Sequence, residues 1–131
     1  MRNVIRLLGI GLALSAGAAW AEVRLVMAEQ VGCAYCERWD DEIAEIYPKT
    51  GEGQAAPLLR YDIHSGTPAS FELARPVNFT PTFILVVDGQ EVNRIEGYPG
   101  EDFFWGLLGM MLERAEVPVV PAQPAGAEAN G

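Results

Sequence analysis

The chain holds two cysteines, and they stand three apart as Cys33-Ala34-Tyr35-Cys36. On the first turn of a helix that spacing puts both sulfurs on one face, close enough to form or break a disulfide. The positive end of the helix then lies beside the first sulfur, lowers its pKa and populates the nucleophilic thiolate. The flanking sequence agrees. Val23 to Met27 reads as a buried strand. Ala34 to Tyr47 reads as a helix with Trp39, Ile43, Ile46 and Tyr47 on one face and Glu37, Arg38, Asp41, Glu42 and Glu45 mostly on the other. The pair therefore belongs at a strand-to-helix junction.

Residues 1–21 have the pattern of a secretory leader. Arg2 and Arg6 supply the positive start, Leu7 to Leu14 an apolar centre, and Ala19-Trp20-Ala21 a small-x-small cleavage site. The apolar run to Trp20 is short for a membrane span of about 20 residues, and no basic stop-transfer cluster follows. An uncleaved anchor is the alternative. Cleavage would start the mature chain at Glu22, in an oxidising periplasm where a lone cysteine pair drifts to the disulfide unless something reduces it. Loss of the two arginines and no acids takes the formal charge from −9 to −11. Such a surface repels nucleic-acid phosphates and anionic headgroups, so the expected partners are proteins and not nucleic acid. Residues 22–116 have the size of one domain with one core.

The rest of the chain alternates. After Pro48, Lys49 to Pro57 reads as a polar loop and Leu58 to Ile63 as a second strand. A turn follows at His64-Ser65-Gly66. Thr67 to Arg75 is a short helix candidate, with Thr67 as N-cap and Pro68 in the first helical position. Phe83 to Val87 is a strand, Asp88-Gly89 a hairpin turn into Glu91 to Gly97, and Glu101 to Glu116 a helix with Phe103, Phe104, Leu107, Leu108, Met111 and Leu112 at helical spacing. Residues 117–131 turn to Pro, Ala and Gly, the composition of a disordered tail.

This order of elements, with the redox pair after the first strand, resembles the thioredoxin fold, an α/β architecture with a central mixed sheet of about four strands flanked by helices. Thr80-Pro81 stands just before the third strand, where thioredoxin-like proteins carry a cis-proline opposite the cysteine pair. The resemblance implies that Thr80 and Pro81 form a substrate-docking edge, on which a partner chain pairs as an added strand. A plain strand-start proline is the simpler reading of the residue taken alone.

Longer stretches narrow the likeness. Val31-Gly32-Cys33-Ala34-Tyr35-Cys36-Glu37-Arg38-Trp39-Asp40, Tyr47-Pro48-Lys49-Thr50, Asp62-Ile63-His64, Ala74-Arg75-Pro76-Val77, Phe79-Thr80-Pro81-Thr82-Phe83 and Ile95-Glu96-Gly97-Tyr98-Pro99-Gly100-Glu101-Asp102-Phe103-Phe104-Trp105 resemble the SoxS family. These are periplasmic thioredoxin-like proteins of bacterial sulfur-oxidation gene clusters. The resemblance covers Val23 to Leu112 and implies a monomeric thiol-disulfide oxidoreductase without cofactor or metal. Its implied substrate is a protein disulfide, that of the sulfur carrier SoxYZ, and its implied electron source a membrane thiol transporter. Cys33 would attack and Cys36 resolve. Many thioredoxins keep an acid in the first strand as proton acceptor; here Val23 to Met27 has only Arg24, so the role is absent or falls to Glu29, just past that strand. Gly32 replaces a common tryptophan and leaves the partner groove more open. Ala34-Tyr35 lacks both the Gly-Pro of thioredoxins and the Pro-His of strong oxidants, implying an intermediate potential.

Other readings stay open. His64, the only histidine, suits a loop or structural role, and Trp39 suits the core. Asp40, Asp41, Glu42 and Glu45 suit a solvated face or a guide for a basic partner. Two thiolates with His64 or Met27 could hold copper. The disulfide could serve general isomerisation, or merely structure, although closing so short a loop stabilises little.

Overall fold

The computed structural model describes residue 17 and residues 20–122. Leu25, Val26, Met27 and Ala28 are all fully buried, so β1 (Val23–Glu29) is covered on both faces and runs through the middle of the sheet. It extends two residues past the expected end and so takes in Glu29. β2 (Leu58–Asp62) lies parallel to it, with Met27 opposite Arg60 and Glu29 opposite Asp62. β3 (Thr82–Val87) lies antiparallel on its other side, and β4 (Gln90–Glu96) pairs antiparallel with β3. The order is β2-β1-β3-β4. Asp88 and Gly89 both take positive φ, as a two-residue hairpin turn following the strand twist requires.

The helical stretch after the cysteine pair has three parts. α1 (Ala34–Trp39) widens into a π-helical turn at Asp40–Ala44, and Tyr47–Lys49 closes as a 3₁₀ turn around Pro48. The expected loop from Lys49 to Pro57 instead contains α2 (Gly51–Ala55), capped by Thr50, whose hydroxyl accepts from the Gly53 amide at 3.0 Å. A Cβ on Gly53 would overlap the Tyr47 carbonyl oxygen, so this glycine permits close approach and does not break the helix. α3 (Glu101–Arg114) matches its expected place but ends two residues early.

The helix expected over Thr67 to Arg75 is absent. Phe71 and Leu73 alternate toward one sheet face, where Phe71 packs edge-on against Tyr61. The Glu72 amide donates to Gly89 O at 2.7 Å, and the Glu72 carbonyl accepts from the Glu91 amide at 3.1 Å. Those bonds with the hairpin hold the strap extended and override the Thr67-Pro68 start signal.

Alternation along the strands divides the core. Leu25, Met27, Phe83, Leu85 and Ile95 meet α1, the π turn and α3 through Trp39, Ile43, Tyr47, Phe104 and Leu108. Val26, Ala28, Tyr61, Ile84 and Val86 face the strap. Beyond the expected domain end at Glu116, Val117 packs against the first core, and the Val120 carbonyl occupies the space that a Gly51 Cβ would need. Most of the leader and residues 123–131 lie outside the described residues. Among the described residues no helix is long and apolar enough to cross a membrane.

Candidate functional site

Cys33 closes the turn that leaves β1 and serves as N-cap of α1. Gly32 before it sits at φ 77°, in the left-handed region that a larger residue would enter only with strain. Cys33 and Cys36 are joined as a disulfide with Cα atoms 5.2 Å apart. The Cys36 amide donates to Cys33 Sγ at 3.2 Å. A sulfur in that position caps an unpaired helical amide, and the same hydrogen bond favours its thiolate over its thiol. Both cysteines are largely buried, at 8% and 5% exposed, with Cys33 the more accessible. Cys36 belongs to the core that holds Trp39 and Met27.

A cavity of about 240 Å³ opens on the pair, lined among others by Glu29, Gln30, Asp40, Arg60 and Asp62. Arg60 Nε donates to Glu29 Oε2 at 2.8 Å and Arg60 Nη2 to Asp40 Oδ2 at 3.0 Å. The same guanidinium lies 5.8 Å from the centroid of Trp39. Hydrogen bonding to Asp40 foremost, and then to Glu29, outweighs burial and holds Arg60 above its ordinary pKa. Two carboxylates thus share one arginine beside Cys36, which brings Glu29 to the cysteine pair but not as an unpaired acid.

Thr80-Pro81 is a cis peptide leading directly into β3. Thr82 Oγ1 donates to Phe79 O at 2.6 Å across it. Farther back, Arg94 and Glu91 form an ion pair whose side chains are each 3% exposed. Arg94 also donates to Arg75 O at 2.8 Å and Pro76 O at 3.1 Å, and Glu91 accepts from the Ala74 amide at 2.7 Å. This buried pair fastens the chain that carries Thr80.

The sequence does not single out Gln30, and it offers His64 only as a loop or structural residue or a copper ligand. Gln30 Nε2 donates to Thr80 Oγ1 at 2.7 Å, and Gln30 Oε1 lies 3.1 Å from His64 Nε2. Only the parallel register that sets Glu29 against Asp62 makes them neighbours. Val31, Tyr35 and Phe79 are exposed and lie in sequence beside the cysteines and the cis peptide, an apolar signal readable as exposed hydrophobes only once burial is known. Among the described residues no three His, Cys, Asp or Glu side chains converge as a metal site.

A family model described as a thioredoxin-like domain matches residues 16–111. The chain is also similar to a crystal structure, the periplasmic thioredoxin SoxS from Paracoccus pantotrophus in its reduced form, with a TM-score of 0.70 and 55% sequence identity. That alignment covers 72% of this chain and 99% of that one. Comparison with curated protein sequences gives no match.

Proposed function

The chain belongs to the thioredoxin-like family, and we propose that it is a periplasmic thiol-disulfide oxidoreductase of the SoxS type that reduces partner-protein disulfides. The observation that carries the reading is the Cys36 amide on Cys33 Sγ, which makes Cys33 the sulfur favoured as thiolate. In the reduced protein, Cys33 attacks one sulfur of the partner disulfide, and the other leaves as a thiolate that takes up a proton. Cys36 then loses its proton and attacks Cys33 Sγ. The second partner thiol departs, and the protein is left with the Cys33–Cys36 disulfide. Two electrons pass to the partner, whose two thiolates take up one proton from solvent and, by way of Glu29, the one that Cys36 releases. Glu29, on the same cavity as Cys36, takes the proton that Cys36 gives up. Thr80 and Pro81 supply the edge on which the partner chain lies.

The likeness to SoxS supports the sulfur carrier SoxYZ as client and a membrane thiol transporter as the source of electrons. The leader pattern supports export and cleavage after Ala21, and Trp20 beside that bond is exposed. Trapping tests the whole. Cys36→Ser should stall the mixed disulfide on Cys33, and mass spectrometry of the adduct should identify SoxYZ. Recovery of assorted secreted proteins would point to general isomerisation instead. An unchanged yield of adduct from Cys33→Ser would refute Cys33 as the attacking sulfur.

A further inference from the structure

We propose that His64, Gln30 and Thr80 form a one-way hydrogen-bond chain that leaves the Thr80 hydroxyl hydrogen free to donate to the partner. Thr80 thereby becomes a selector for partner segments with an oxygen acceptor beside the reacting cysteine. This rests on the reading of Thr80 and Pro81 as the docking edge.

The direction follows from the orientation of the Gln30 amide, whose nitrogen faces Thr80 and whose oxygen faces His64. Gln30 Nε2 has hydrogens only to donate, and Thr80 Oγ1 accepts one at 2.7 Å. Gln30 Oε1 can only accept, so the His64 Nε2 facing it at 3.1 Å must carry a proton. Both the Nε2–H tautomer and the imidazolium meet that demand. The chain thus runs from His64 to Gln30 to Thr80. Among the described residues Thr80 Oγ1 accepts this bond and donates none. Bonds polarised in series strengthen the final donor. Gln30 also lines the cavity that opens on Cys33 and Cys36, so Thr80, bonded to its amide nitrogen, lies one side chain away from that cavity. In this arrangement Gln30 and His64 are positioning residues, and only Thr80 touches the partner.

The test compares two neutral disulfides in single turnover with the reduced protein. One is a capped alanine peptide with a single cysteine, held as its mixed disulfide with 2-mercaptoethanol. The other is hydroxyethyl disulfide, which has no chain to dock. The readout is the ratio of the two rates, which cancels changes in Cys33 reactivity. Thr80→Val should lower the ratio about fivefold, the worth of one hydrogen bond, and Thr80→Ser should restore it. Gln30→Glu is the decisive variant. Its carboxylate keeps a bond to His64 and another to Thr80, but the hydroxyl must now donate inward. A merely structural Gln30 would tolerate this change and keep the ratio, whereas the one-way chain predicts the same fivefold loss as Thr80→Val. Retention of the wild-type ratio by either Thr80→Val or Gln30→Glu would overturn the proposal. A wild-type ratio near one would remove the docking edge itself, a different failure, since trapping on Cys33 would still succeed.

Discussion

At the scale of single residues, the chemistry that the sequence announces lies in groups whose neighbours are local. Cys33 and Cys36 need only a helical turn to meet, and the spacing alone was enough to identify them. Gln30 and His64 meet across two strands, and nothing in either residue's own surroundings points to the other. Glu91 is a similar case, an ordinary carboxylate in sequence that the structure buries with Arg94. Burial pushes its pKa up, but hydrogen bonds from Arg94 and the Ala74 amide more than reverse this and leave it lowered. A lowered folded-state pKa means that ionised Glu91 stabilises the protein above the unfolded value of about 4.3, and that this contribution is lost as pH falls through the folded value. Glu91→Gln should therefore lower stability by about 2 kcal/mol at neutral pH, since it leaves the buried Arg94 with only the more distant Glu96 carboxylate, 3.7 Å away, as charge partner. The melting temperatures of variant and parent should converge in acid. Thermal melts between neutral pH and about pH 3 check this, and a constant gap across that range would exclude it.

At the scale of elements, the strands and the two long helical segments were legible because their apolar periods are long enough to speak for themselves. The errors fall where a short segment answers to its neighbours. Phe71 and Leu73 packing on the sheet, with Glu72 bonded to the hairpin end, outweigh a proper N-cap and proline at Thr67-Pro68. Gly51 and Gly53 look like loop residues, yet they are the residues that let α2 approach the Val120 and Tyr47 carbonyls. Gly53→Ala, which should favour a helix by propensity, is expected to destabilise by about 1–3 kcal/mol through that overlap. Urea unfolding measures it, and a gain in stability would mean that α2 can move away from Tyr47.

At the scale of the molecule, the sheet places its two chemistries together. β1 delivers the cysteine turn and β3 begins at the cis peptide, and these strands pair with Ala28 opposite Thr82. The fold class could be inferred because that adjacency comes with the order of elements; the client could not, because no residue names it. The pair's poise is a whole-molecule property, set by how the fold stabilises thiolate against disulfide. With Ala34 and Tyr35 between the cysteines, a glutathione redox titration should give a potential well below about −120 mV, that of a strong oxidant; a value near it would reverse the direction of electron flow. The strap that replaces a helix on the second sheet face carries a further consequence. It leaves the sheet after Gly66, crosses that face and ends at Thr80, so under the proposed docking role one ribbon both covers the sheet and carries the edge that receives the partner. A protease that nicked it near Ser70 would leave both sulfurs and all four strands in place. The enzyme would then keep its reactivity toward small thiols while losing its grip on proteins.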